Sequence, residues 1–222
     1  MLRLWGRQSS INVQKVLWCL AELELKEGAD FERIDAGLEF GINRSSEYLS
    51  MNPNGLVPTL EDGELVLWES NTIMRYLVRA YDVKQRFSTD IATQSQSSKW
   101  LDWQLSTMWP PLRGTFLGLT RTPEAERNYA AIKKGYQDTN VHLAMLDNIL
   151  SKQSFCSGDQ FHIGDIPLGL CVNRWILLHQ AFPEKTGPKA DLIHIDQWLK
   201  RLEDRTHYSE IAEKELNMVK LD

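Results

Sequence analysis

The chain has 222 residues, 42% of them hydrophobic and 25% charged, the balance of a soluble globular protein with room for one large or two small domains. A net charge of −5 with no Lys/Arg run excludes the electrostatic footprint of a nucleic-acid binder. No apolar run approaches the ~20 residues that cross a bilayer, and Met1-Leu2-Arg3-Leu4-Trp5 turns polar too soon for a signal peptide, so a cytoplasmic protein with no membrane partner is expected.

Leu2–Trp5 reads as a first strand and Gly6–Ser10 as a polar loop. From Asn12 onward, Val13, Val16, Leu17 and Leu20 follow helical spacing, with Gly28 near the end of that helix. Phe31–Ile34 alternates as a second strand, and Ala36–Asn43 is a loop. Ser45–Leu49 makes a short helix that Asn52-Pro53 ends. Thr59-Leu60-Glu61 and Leu65–Trp68 form a hairpin about Asp62-Gly63, where glycine supplies a positive φ. Ser70–Tyr81 is the next helix, with Ile73, Met74 and Leu77 inward. Asp82–Asp90 is polar, lacks periodicity and reads as a linker.

After the linker the strand signals vanish. Ile91 to about Leu119 reads as one long helix, broken or bent at Trp109-Pro110-Pro111. Pro123-Glu124 is expected to start the next helix, which carries Leu143, Leu146, Ile149 and Leu150. Gly164-Asp165 opens a third, apolar nearly all round and therefore central to a bundle. Asp191 to about Arg205 is a fourth, and Tyr208–Glu215 a short last one. In Phe161-His162-Ile163-Gly164-Asp165 an acid stands where it can satisfy N–H groups that precede it, a feature of folding rather than of function. Of the three cysteines, Cys19 and Cys171 lie in apolar helical patterns and read as core, while Cys156 lies in a loop open to exposure. Neither the cysteines nor the five histidines have ligand spacing, so no metal is expected.

The most informative stretch is Asn54-Gly55-Leu56-Val57-Pro58, followed by Glu69-Ser70. Proline has no N–H for a sheet ladder, which puts Pro58 at a strand start. It also permits a cis bond at a cost of only about 0.5–1 kcal/mol. A cis Val57-Pro58 turns the N–H and C=O of Val57 outward, ready to pair with an extended peptide. Glu69-Ser70 falls at the first turn of a helix, where free N–H groups favour a carboxylate. The loop Gly6-Arg7-Gln8-Ser9-Ser10-Ile11-Asn12 enters the first helix, so a hydroxyl there reads as an N-cap or as a catalytic donor.

Together these stretches resemble the cytosolic glutathione S-transferase family, in its serine-type, theta-like bacterial form. The resemblance is strong over 1–81 and looser beyond. It implies an α/β thioredoxin-like N-terminal domain (βαβαββα, residues 1–81) that binds glutathione, a linker at 82–90, and an all-α C-terminal helical bundle (91–222) that supplies the electrophile pocket. The implied function is to stabilise the glutathione thiolate for attack on a small hydrophobic electrophile. Glutathione is then a cosubstrate, with no cofactor, and the protein is a homodimer. Serine-type members place a serine six residues before a valine and five before a basic residue of the first helix; Ser10 fits both counts through Val16 and Lys15. Ser9 and Asn12 are the alternative contacts to sulfur. Val57, with Pro58, is implied to pair with the cysteinyl backbone, Glu69 and Ser70 to hold the γ-glutamyl end, Asn54 to reach the peptide backbone, and Arg44 to meet the glycyl carboxylate. Trp109, Arg113 and Phe116, spaced by four and three on one helix face, are the candidate electrophile contacts, with core packing as the alternative for the two aromatics. Two other functions fit the same stretches: a glutathione-dependent disulfide reductase or dehalogenase, and a non-catalytic glutathione-binding interaction module.

Overall fold

The computed structural model describes residues 1–218. Positions 219–222 of the expected helical domain lie outside the described residues. The chain divides into two compact units: Met1–Thr89 with His207–Ile211, and Asp90–Thr206 with the stretch from Ala212 onward.

The first unit is a four-stranded sheet with helices. Strands β1 (Leu2–Trp5), β2 (Phe31–Ile34), β3 (Thr59–Asp62) and β4 (Leu65–Trp68) lie in the order β2-β1-β3-β4. β1 and β2 are parallel, joined through helix α1 (Ile11–Glu22); β3 runs antiparallel to both β1 and β4. A short α2 (Ser46–Met51) precedes the hairpin and α3 (Ser70–Tyr81) follows it. This is the expected thioredoxin-like arrangement. α1 and α3 pack together through Val13, Val16, Leu20, Ile73, Met74 and Leu77, all buried. Parallel neighbours need such a crossover helix, and the hairpin then adds antiparallel strands at one side.

Some boundaries differ from the sequence reading. α1 ends at Glu22, well before Gly28, because Leu25 N–H bonds back to the Leu20 carbonyl at 2.9 Å and closes the helix. Gly28, at φ 84°, instead makes the turn into β2. The expected linker Asp82–Asp90 is tied down: the Asp82 carboxylate accepts the N–H groups of Arg86 and Phe87, both at 2.8 Å, and Phe87 is buried.

The second unit is helical: α4 (Ile91–Trp103), α5 (Trp109–Thr120), α6 (Tyr129–Leu150), α7 (Asp165–Ala181), α8 (Pro183–Thr186) and α9 (Ile193–Arg205); α10 (Tyr208–Ile211) belongs to the first unit. The break in the long first helix is a π-helical stretch over Gln104–Met108, just ahead of the prolines; the backbone stays helical through Met108 and Trp109, and Pro110 and Pro111 fall in the first turn of α5. Pro123 does not start α6. It leads into a single 3₁₀ turn, Glu124–Glu126, and α6 begins after Asn128, whose side chain caps Ala131 N–H at 3.0 Å. α7 is buried almost along its whole length, as its continuous apolar pattern requires. The last helix stops at Ile211 rather than Glu215.

Cys156 is buried, contrary to the loop-based expectation. Its thiol donates to Asp165 Oδ1 at 2.7 Å and its N–H to the same oxygen at 2.9 Å. Asp165 Oδ1 also accepts Trp198 Nε1 at 2.9 Å, and Oδ2 accepts His162 N–H at 3.0 Å. Four donors therefore meet one enclosed carboxylate at the start of α7, which ties the preceding loop and α9 to it. No helix among the described residues is long and apolar enough to cross a membrane.

Candidate functional site

Sheet topology gathers the Ser10 loop, Val57-Pro58 and Glu69-Ser70 at one end of the first unit. The register pairs Trp5 with Thr59 and Thr59 with Trp68. The exit of β1, the entry of β3 and the exit of β4 are therefore neighbours. The loop to Ser10 leaves from the first, Val57-Pro58 feeds the second, and Glu69-Ser70 leaves from the third. α1 and α3 start at this same end.

The approach of the loops is tight. A β-carbon on Gly6 would lie 2.4 Å from Val13 Cγ2 and 3.3 Å from Val57 Cβ, so only glycine lets the first loop pass between α1 and Val57. One built on Gly37 would lie 2.6 Å from Arg7 Nη1 and 3.6 Å from both γ-methyls of Val57. The Arg7 guanidinium thus sits beside Val57. Sequence reasoning did not single Arg7 out, because its position depends on where the segment after β2 returns.

The Val57-Pro58 peptide is cis. The N–H and C=O of Val57 have no partner among the described residues, although their neighbours are held firmly. Gly55 N–H bonds to the Asn52 carbonyl at 3.0 Å and Asn43 Nδ2 donates to the Gly55 carbonyl at 2.6 Å. The Leu56 carbonyl accepts Tyr48 Oη at 2.6 Å and Asn52 Nδ2 at 2.9 Å. Asn54 is committed to the turn itself: its N–H and its side-chain amide both donate to Asn52 Oδ1 at 3.1 Å.

The helix starts differ in one respect. Ser45, Asp90 and Asn128 cap α2, α4 and α6 with their side chains, and Asp147 accepts the N–H groups of His194 and Ile195 at the start of α9. At α1 and α3, as at α5, α7 and α8, the N-cap side chain makes no such bond. Ser10 occupies the N-cap position with extended backbone (φ −83°, ψ 121°) and its carbonyl accepts Gln14 N–H at 2.9 Å, yet its hydroxyl makes no cap bond. Glu69 occupies the N-cap position of α3 at φ 71°, ψ 105°, a conformation uncommon outside glycine, and its carboxylate makes no cap bond either. The Ser10 and Ser70 residues are largely buried, but their hydroxyls have no partner among the described residues and are not sealed off. Each helix start leaves its first N–H groups without intrahelical acceptors.

The remaining candidates are distributed as follows. Ser9 lies in the turn that Ser10 N–H closes onto the Arg7 carbonyl at 3.1 Å, and Asn12 is half-buried in the first turn of α1. Lys15 is buried, with Nζ 3.4 Å from Oδ1 of Asn71, the residue after Ser70. Arg44 ends a 3₁₀ turn and is exposed. On α5, Arg113 is exposed, Trp109 half-buried and Phe116 buried. The Phe116 ring meets two guanidinium groups, that of Arg174 4.2 Å from its centroid and that of Arg121 5.1 Å away. Arg174 is itself paired with Glu213 at 2.7 Å.

The Glutathione S-transferase, N-terminal domain family model matches residues 1–79. Glutathione S-transferase GstB of Escherichia coli K12 is 46% identical over 170 residues, covering 76% of this chain and 80% of that protein. The chain belongs to the glutathione S-transferase family. Among plant members of the family, glutathione S-transferase F10 of Arabidopsis thaliana is 28% identical over 203 residues, covering 86% of this chain and 88% of that one. The crystal structure of the theta class glutathione S-transferase of Xanthomonas axonopodis pv. citri, with glutathione bound, superposes with a TM-score of 0.84 at 38% identity, covering 97% of this chain and 99% of that one. The family resemblance drawn from the cis-proline stretch and the Ser10 loop is therefore correct.

Proposed function

We propose that this glutathione S-transferase family member is an active transferase in which Ser10 stabilises the glutathione thiolate for attack on a hydrophobic electrophile. One observation carries the reading: α1 and α3 both start without a side-chain cap, and they flank the Val57 main chain, whose N–H and C=O have no partner among the described residues. An extended, acidic tripeptide matches that set of groups. Its cysteinyl backbone pairs with Val57 ahead of Pro58, as a strand adds to a sheet edge. Its γ-glutamyl carboxylate takes the Ser70 hydroxyl and the first N–H groups of α3, and its γ-glutamyl amine donates to Glu69. Asn54, whose amide nitrogen donates to Asn52, has its Oδ1 left to accept from the peptide backbone. Arg7 and Arg44 are the cations for the glycyl carboxylate.

The thiol sulfur faces Ser10, with Ser9 and Asn12 as neighbouring donors. A free thiol titrates near pKa ~8.5, so forming the anion at neutral pH requires donors and positive potential at the sulfur. The Ser10 hydroxyl donates one hydrogen bond, and the uncapped start of α1 adds its dipole. Serine is not the base here. It lowers the energy of the anion, which then attacks an electrophilic carbon. The electrophile is taken up on α5 by Trp109, Arg113 and Phe116. No cofactor enters this scheme. The working form is a cytoplasmic homodimer, whose mass light scattering would give as two chains.

The test is titration calorimetry with glutathione, coupled to turnover of 1-chloro-2,4-dinitrobenzene. Binding with turnover is expected. Binding without turnover would favour a non-catalytic module, and no binding would sink the proposal.

A further inference from the structure

We infer that Tyr48 and Asn52 are positioning residues for glutathione: they hold the Leu56 carbonyl so that the next peptide unit, that of Val57, is presented in one fixed orientation. The inference rests on the reading of Val57 given above.

Tyr48 lies on α2, outside the set of residues that face the tripeptide, and its side chain is fully enclosed. Its hydroxyl meets the Leu56 carbonyl at 2.6 Å and Thr59 Oγ1 at 2.8 Å. Asn52 Nδ2 meets the same two atoms, at 2.9 and 3.1 Å. These two side chains thus bridge the residue before Val57 and the residue after Pro58. They grip the cis peptide from both sides without touching Val57 itself. The main-chain groups left over are those of Val57. Burial raises the Tyr48 phenol above its ordinary pKa, so it stays protonated and remains a donor throughout the working pH range.

A carbonyl fixed by two donors cannot rotate its peptide plane without breaking both bonds. The adjoining Val57 N–H shares that plane, because the amide is rigid. Losing one donor loosens the orientation of the N–H that the cysteinyl residue must meet. The effect belongs in ligand affinity, since the thiolate and its Ser10 partner are not touched.

The experiment compares Tyr48→Phe with Tyr136→Phe. Both remove a buried phenol that donates to a main-chain carbonyl; for Tyr136 the acceptor is Trp175 in the helical unit, at 3.2 Å. Glutathione Kd, glutathione KM, kcat with 1-chloro-2,4-dinitrobenzene and urea unfolding are measured for each. For Tyr48→Phe we expect Kd and KM for glutathione to rise about fivefold, the factor that about 1 kcal/mol represents. Saturating kcat should stay within about twofold. Asn52→Ala in the Tyr48→Phe background should raise Kd further. Tyr136→Phe should lose comparable stability and leave glutathione affinity unchanged. Equal effects of the two phenylalanine variants on Kd would reduce Tyr48 to a stabilising core residue and overturn the inference. So would an unchanged Kd in Tyr48→Phe. Failure of the wild-type protein to bind glutathione would show instead that the functional reading had failed, and the inference with it.

Discussion

Ser10→Ala separates two roles that a serine at a helix start can play. A capping hydroxyl typically stabilises a helix by ~1 kcal/mol. The Ser10 hydroxyl makes no cap bond, so its removal should change the unfolding free energy by less than about 0.5 kcal/mol, the usual span for a substitution away from such features. As a donor to a thiolate the same hydroxyl is worth about 1.5–3 kcal/mol. At 1.36 kcal/mol per pKa unit, the bound glutathione thiol should then titrate about 1–2 units higher in the variant. Below the wild-type pKa the thiolate population, and the rate that depends on it, falls about 10- to 100-fold, and the deficit shrinks as pH rises from there through the new pKa. The assay follows the ultraviolet thiolate band of the glutathione complex against pH, with urea unfolding on the same samples. A variant that unfolds ~1 kcal/mol more easily but keeps the thiolate pKa would show that Ser10 is a cap and that this reasoning is wrong. The sulfur contact would then pass to Ser9 or Asn12.

Gly6→Ala puts a methyl 2.4 Å from Val13 Cγ2 at φ 153°, so it should cost about 1–3 kcal/mol in urea unfolding and weaken glutathione binding; a neutral result would mean that the loop is not held against Val57 as described. All three cysteines are buried, and burial pushes the Cys19 and Cys156 thiols well up, so native protein should resist Ellman's reagent for minutes while denatured protein reacts at all three; one fast native thiol would contradict the packing of Cys156 on Asp165. The Tyr76 and Tyr81 hydroxyls both donate to Asp62 and hold its carboxyl below the usual carboxylate range. A lowered folded pKa stabilises the fold above the unfolded-state value, and the contribution disappears as pH falls through the folded one. Tyr76→Phe/Tyr81→Phe should therefore be less stable than wild type at neutral pH, with the gap closing on acidification; a gap that widens towards low pH would reverse the assignment.

Much of this protein was legible because the relevant signals are local. Pro58 after Val57 and Asp62-Gly63 between two apolar runs each constrain backbone that lies within a few residues, and they located the strands and the hairpin without reference to anything distant. The choice of Ser10 in its loop came from the family resemblance, through its spacing to Lys15 and Val16. The apolar run of α7 likewise announced its burial. Local signals also misled in two places. Pro123 fits a helix start, but the side chain of Asn128 holds the real one. Cys156 lies in a loop, but Asp165 and Trp198 enclose it from elsewhere in the chain.

Tertiary structure alone decided three matters. It showed that the Ser10 hydroxyl makes no bond to the first-turn N–H groups of α1, which depends on where each of them points. It brought Arg7 beside Val57 through the return of the segment after β2. It made Tyr48 and Asn52 the clamp on the Leu56 carbonyl, a bond network that closes only when α2 packs against the entry of β3. Each is a statement about a partner separated in sequence, and a hydrogen bond is specified by distance and angle in space. Residue type and spacing can name the groups able to make such a bond. Only the folded chain selects which of them do.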